Sequence, residues 1–386
     1  MRRIIVATSR LLITLSALLA TTPAMAQQEQ SQEALTPYIL PDAGPFLPRD
    51  LGDENNAAIA AWIGSAHADN ASEAFRHWDD EGEIAPACSV CHSGAGFRSF
   101  HGLDGSAPGL PQSPIPTGGV VDCATCHANG LAEVKAVTLP SGVAHPVQGV
   151  EAACVTCHQG RSAGADVEKA IADGAPDTVN AELRFINPHY KTAAATWLGG
   201  YGKAGYHYEG KAYSGRFFHA RPVATCVSCH DPHGLEVKTE SCTTCHEGEG
   251  PRAFRIRKQS YDGAGNTAQG IRTDIANNAE LLLRTLQDYS AEVAGVGLLY
   301  DGHSYPYFFT DANGDGVADT GDNGRPVNYA SWTPRSLRAA YNWKLVTADP
   351  GIYAHNPHYA LELLYDAIED LNAPLGRDTA AMGLLR

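Results

Sequence analysis

Cys226-Val-Ser-Cys229-His230-Asp-Pro-His233-Gly-Leu-Glu-Val-Lys-Thr-Glu-Ser-Cys242-Thr-Thr-Cys245-His246 holds two copies of one short pattern, Cys-x-x-Cys-His. The pattern occurs three more times, at Cys88-Ser-Val-Cys91-His92, Cys123-Ala-Thr-Cys126-His127 and Cys154-Val-Thr-Cys157-His158. The five copies use all 10 cysteines of the 386-residue chain. Cys-x-x-Cys-His is the attachment site of c-type haem: two thiols add to the two vinyl groups, and the histidine becomes an axial ligand. Zinc ribbons and redox disulfides also use Cys-x-x-Cys, but neither needs a histidine directly after the second cysteine. Histidine is only 16 of 386 residues, yet it follows every pair. Five covalently attached haem c groups are therefore expected.

Covalent haem attachment implies export, and the N-terminus agrees. Arg2 and Arg3 precede a short apolar run, Leu11 to Ala20, and Ala24-Met25-Ala26 is a small-x-small cleavage site. Residues 1–26 read as a signal peptide. No later segment is apolar for long enough to span a bilayer, so no transmembrane segment is expected and the mature chain should be periplasmic or extracellular. The formal charge of −15 becomes −18 once Arg2, Arg3 and Arg10 leave with the signal. Such a surface disfavours nucleic acid, which wants basic protein. It suits a basic redox partner, although ordinary acidic solubility explains it as well.

Residues 27–50 turn Pro-rich (Pro37, Pro41, Pro45, Pro48) and read as an extended leader. Residues 51–250 form the pentahaem-binding region, with no fixed repeat period between motifs. Residues 251–386 lack cysteine and carry helical patterning. Ile271, Ile275, Leu282, Leu286, Tyr289 and Val293 share one helical face. Thr333-Pro334 and Asn356-Pro357 are N-cap and N1 signals for two further helices, carrying Leu337, Tyr341 and Leu345, then Leu361, Leu364, Ile368 and Leu371. The expected fold class is mainly α with extensive irregular loops, a multihaem cytochrome c architecture in which the haems form much of the core.

Each iron takes a second axial ligand or stays open. Met1 and Met25 leave with the signal, so Met382 alone remains and bis-His coordination, toward low potential, is the default. His67, His77, His189, His219 and His233 are the chosen distal ligands, with His355 and His145 in reserve. His233 stands too near His230 to share its iron and should serve a neighbour. His67 and His77 fall on Asn55 to Asp80, read as a helix or helix pair. His189 follows Asn187-Pro188, a helix-start signal, and His219 adjoins Phe217-Phe218.

A second metal signal lies at 311–322. Asp311, Asn313, Asp315, Asp319 and Asp322 occupy loop positions 1, 3, 5, 9 and 12, Gly316 supplies the sharp turn at position 6, and Val317 offers its carbonyl at position 7. This is a calcium-loop pattern, with Asp in place of the usual terminal Glu. It resembles dockerin or thrombospondin-repeat loops more than a full EF-hand. One structural Ca²⁺ is expected; an ion-free Asp/Gly turn is the alternative.

The phrases Ser65-Ala-His67-Ala-Asp69, Phe75-Arg-His77-Trp78-Asp79, Cys157-His158-Gln-Gly-Arg161, Cys229-His230-Asp-Pro-His233, Ser331-Trp-Thr-Pro-Arg335 and Tyr353-Ala-His355-Asn356 make the chain resemble secreted multihaem cytochromes of the polyhaem membrane-associated cytochrome c family. That resemblance implies extracytoplasmic electron transfer to redox proteins or extracellular acceptors. Some multihaem cytochromes stack into filaments, so a homopolymer is an open extension. An electron carrier, not an enzyme, is the leading reading. The alternative is a nitrite or hydroxylamine reductase with one open haem. Ammonia-forming nitrite reductases of that kind carry Cys-x-x-Cys-Lys, which this chain lacks. A redox sensor or haem-storage protein is a further alternative.

Overall fold

Apolar side chains recurring every three or four residues build the long helices of the C-terminal third. The computed structural model describes residues 52–386; the expected signal peptide (1–26) and leader (27–50) lie outside the described residues. In chain order the helices are α1 (Gly52–Ile63), α2 (Glu73–Arg76), α3 (Pro86–His92), α4 (Gly94–Phe100), α5 (Cys123–His127), α6 (Glu151–His158), α7 (Gly164–Ile171), α8 (Ala193–Gly202), α9 (Cys226–Cys229), α10 (Thr239–Thr243), α11 (Ile271–Glu292), α12 (Pro334–Ala348), α13 (Ile352–His355) and α14 (Pro357–Asn372). The chain divides into two compact units, residues 1–61 and 62–386. Most of α1 lies in the first; the second carries all five motifs.

The structure is mainly helical with long loops and three two-stranded antiparallel hairpins, β1–β2 (Glu83–Ile84, Ile115–Pro116), β3–β4 (Ala136–Thr138, Ala144–Pro146) and β5–β6 (Leu298–Tyr300, Phe308–Thr310). Helices α11, α12 and α14 pack on one another. Leu282, Leu286 and Tyr289 of α11, Leu337, Tyr341 and Leu345 of α12, and Leu361, Leu364, Ile368 and Leu371 of α14 are buried in one cluster. Fully burying a side chain of this size contributes about 1.5–3 kcal/mol. The starts of two of these helices are fixed by capping: Thr333 accepts from the Ser336 amide with Pro334 at N1, and Asn356 accepts from the Tyr359 amide with Pro357 at N1.

The same cluster takes in Val167, Ile171, Leu183, Ala195 and Ala204, so the C-terminal helices share a core with the segment between the third and fourth motifs. Hydrogen bonds tie the two together: Tyr341 Oη donates to the Ala204 carbonyl at 2.9 Å, and the Gly205 amide donates to Tyr359 Oη at 2.8 Å. The β5–β6 hairpin closes over this core through Phe308, whose ring meets Trp332 edge-on at 5.3 Å. A second, smaller cluster of Phe97, Leu131, Val137, Leu139, Val147, Val155 and Leu198 lies among the first three motifs. Among the described residues no helix is long and apolar enough to cross a membrane.

Local structure departs from the sequence expectation at two places. Asn55 to Asp80 does hold two helices, but neither histidine lies within one: His67 sits in a turn after α1 and His77 is the C-cap of the four-residue α2. Asn187-Pro188 does not start a helix. His189 and Lys191 have φ of 90° and 52°, left-handed values that interrupt a right-handed helix, and α8 begins only at Ala193. The Asn187 side chain instead accepts the His189 amide at 2.9 Å, forming a local turn.

Candidate haem sites

Each Cys-x-x-Cys-His copy lies on or beside a helical turn, in α3, α5, α6 and α9 and at the end of α10. Residues three apart on such a turn face the same side, which aims both thiols at one ligand while the next residue's ring stands alongside. Caps hold these short turns. Asp122 accepts the Thr125 amide at 2.9 Å and is itself gripped by Arg98 at 2.6 and 2.8 Å; Pro86 occupies N1 of α3. Gly96 lets α4 close on the first motif, since a Cβ there would stand 2.3 Å from the Ser89 carbonyl oxygen. No disulfide joins any of the ten cysteines.

Every motif histidine faces one histidine from outside the motifs. Ring centroids are 5.8 Å apart for His92 and His189, 6.1 Å for His127 and His233, and 6.4 Å for His158 and His67. They are 6.2 Å apart for His230 and His355, and 6.0 Å for His246 and His219. Two imidazole–metal bonds of about 2 Å, plus about 1.1 Å from each nitrogen to its ring centre, give a span of about 6.2 Å. The five observed spans, 5.8 to 6.4 Å, bracket that value, and each joins one motif histidine to one histidine from outside the motifs. The residues present therefore fit a bis-imidazole haem at each motif.

The outer nitrogens are oriented too. His92 Nδ1 faces the Ala74 carbonyl at 2.6 Å, and His158 Nδ1 the Lys191 carbonyl at 2.8 Å. His219 Nδ1 lies 3.2 Å from the Ala220 carbonyl. A carbonyl acceptor fixes the proton on Nδ1 and turns Nε2 toward a metal. His355 Nδ1 instead meets the buried carboxylate of Asp349 at 2.7 Å. Burial, helped by His158, pushes His67 down to about 4, and burial with Arg161 and His92 does the same to His189. His92, His158 and His230 are also lowered, chiefly by burial. Burial thus favours the neutral form of these five rings, the form that binds a metal, whereas Asp349 shifts His355 upward.

The motifs adjoin one another. Cys91 Sγ lies 3.6 Å from the Thr156 carbonyl oxygen and touches Cys157, joining the first and third copies. Cys154 touches Cys226, joining the third and fourth. His189 and Lys191, two residues apart, serve His92 and His158 in turn.

Of the distal choices made from sequence, His67, His189, His219 and His233 stand beside motif histidines. His77 does not. Its Nδ1 pairs with Glu73 at 2.8 Å and its ring lies edge-on to Trp78 at 4.8 Å, with the side chain 61% exposed. The fifth partner is the reserve, His355. The other reserve, His145, is buried between Trp197 and Tyr201 with neither ring nitrogen hydrogen-bonded. Asp349 escapes sequence reading because nothing local marks a carboxylate as a histidine partner; Asp349-x-Gly351 reads only as a turn.

In the loop at 311–322, acidic and amide side chains hold backbone amides. Asp311 accepts from Asp315 and Gly316 at 3.1 and 3.0 Å, Asn313 from Asp315 at 3.0 Å, Asp315 from Val317 at 2.9 Å, and Asp319 from Ala312 at 3.1 Å. Gly314 and Gly316 take the positive φ that the turns need. Among the described residues no group of three or more His, Cys, Asp or Glu is arranged to hold a metal ion.

No family model matches the chain. It is 24% identical over 388 residues to the C-type polyheme cytochrome OmcB of Geobacter sulfurreducens, covering 81% of this chain and 47% of that one. It is 25% identical over 393 residues to the C-type polyheme cytochrome OmcC of the same organism, again covering 81% and 47%. The chain thus spans about half the length of the curated relatives it matches. No solved structure matches. This similarity supports a multihaem c-type cytochrome, an electron-transfer protein with covalently bound haem.

Proposed function

We propose that the chain is an extracytoplasmic electron carrier holding five covalent haem c groups, each between two histidines. Cys88 and Cys91 hold the first with His92 and His189; Cys123 and Cys126 the second with His127 and His233. Cys154 and Cys157 hold the third with His158 and His67; Cys226 and Cys229 the fourth with His230 and His355. Cys242 and Cys245 hold the fifth with His246 and His219. The observation that carries this reading is the fivefold repetition of a ring-to-ring span near 6 Å.

Bound haem supplies a one-electron couple; the protein supplies position, ligands and electrostatics. The thiols would fix each group, and the paired imidazoles would supply its protein ligands. Closed coordination favours a carrier over a reductase, which needs an open iron. The contacts Cys91–Cys157 and Cys154–Cys226 favour close spacing of neighbouring groups. The net negative charge, −15 for the full chain and −18 once the three signal arginines leave, would steer a basic redox partner. The loop at 311–322 is proposed to take one structural Ca²⁺ through Asp311, Asn313, Asp315, the Val317 carbonyl, Asp319 and Asp322. The side-chain–amide bonds already hold its carboxylates in a turn of the kind such loops use.

Intact mass and EPR of the purified mature protein test the reading. Five haem additions with low-spin ferric signals throughout are expected. Four or fewer additions, or a high-spin signal in the wild type, would overturn it and favour the reductase.

A further inference from the structure

Of the ten ring-paired histidines, only His355 has a carboxylate on Nδ1; the other acceptors found there are backbone carbonyls. Asp349 is 2% exposed, and His355 is its only ion-pair partner among the described residues. Asp349 Oδ2 also accepts from Thr196 Oγ1 at 2.5 Å, and Oδ1 accepts the Gly351 amide at 2.9 Å. The residue caps the C-terminus of α12, the end of a helix where a negative charge is disfavoured. A buried anion at a helix C-terminus, with no Lys or Arg ion pair among the described residues, points to a role in its contact with His355.

We propose that Asp349 makes the haem of the fourth motif the lowest-potential site of the five. The inference rests on the bis-His reading above. A carboxylate draws the Nδ1 proton more strongly than a neutral carbonyl does, because hydrogen bonds to charged acceptors are about twice as strong. The ring gains imidazolate character, its Nε2 donates more strongly, and the ferric state is favoured. The negative charge of the carboxylate acts in the same direction. Thr196 works against this by spending part of the carboxylate's basicity. Asp349 is thus a positioning and tuning residue, one side chain removed from the iron.

Anaerobic redox titration of the holoprotein, followed haem by haem by EPR, tests the proposal, with His355→Ala identifying which low-spin signal belongs to the fourth motif. In the wild type that signal should be the last to be reduced. Asp349→Asn keeps the shape but removes the charge. It should raise the ferrous-to-ferric ratio of that haem about tenfold at fixed potential, a shift of about 59 mV. Thr196→Val should move the same haem the opposite way. The proposal fails if that haem is not the last reduced in the wild type, a result that stands even where Asp349→Asn does not fold. It also fails if Asp349→Asn moves all five haems together or none, or if both variants shift the haem in the same direction. Five low-spin haems with that result sink the role of Asp349 alone; fewer than five, or a high-spin wild type, sinks the underlying reading instead.

Discussion

Replacing His355 by Ala should open one iron, whereas replacing His77 by Ala should open none. His355 and His230 stand 6.2 Å apart, a gap just long enough for two imidazole–iron bonds and too short for any other ligand while both rings remain. Removing His355 leaves a vacant axial position on one site of five, so about one-fifth of the ferric haem should turn high-spin. The ferrous variant should bind one carbon monoxide per protein, against none in the wild type. His77 is mostly exposed, pairs with Glu73 on its own turn of helix and has no motif histidine opposite its ring. Its replacement should leave the spin state and carbon monoxide uptake of the wild type. EPR at low temperature and a carbon monoxide titration followed in the Soret band measure both outcomes. High-spin haem in His77→Ala together with an unchanged spectrum in His355→Ala would refute the ring-pair assignment.

Chelation of the mature protein should lower its melting temperature and added Ca²⁺ should restore it, since a ligand of the native state alone stabilises it; Mg²⁺ should restore it poorly, and an unchanged melting curve would remove the ion from the loop. The Arg255 guanidinium pairs with Asp274 at side-chain exposures of 3% and 2%. Arg255→Ala leaves that carboxylate buried without its cation, so denaturant unfolding should register a loss of about 3–5 kcal/mol; a loss below about 1 kcal/mol would mean that water reaches the site.

The Cys-x-x-Cys-His half of each proposed site is legible because it is local: the motif fits within about one helical turn, and its spacing survives any tertiary arrangement. The helices at 271–292, 334–348 and 357–372 are readable for a similar reason, since their apolar faces and their Thr333 and Asn356 caps lie within the segments themselves. The partner rings are not local. His67 reaches His158 past two intervening motifs, and His355 reaches His230 from the far side of α11 and α12. Ranking His77 above His355 follows from its nearness to the first motif, but the Glu73 four residues earlier already offers that ring a surface partner. His189 shows a second limit: Asn-Pro signals a helix start on average, whereas here the Asn187 side chain stabilises a left-handed turn.

The ring pairs also impose a timetable on the growing chain. Reading from the N-terminus, the partner of His158 is already present when that motif appears, and His189 follows soon after to complete the first motif. His233 and His246 complete two more within the next stretch. The fourth motif alone waits for His355, which comes after α11 and α12 and immediately before α14. Its last ring therefore arrives on the body that forms the main apolar core, and Asp349 arrives with it on the end of α12. Closure of that pair coincides with packing of the C-terminal helices, so a chain halted before residue 355 would have four ring pairs matched and His230 left waiting.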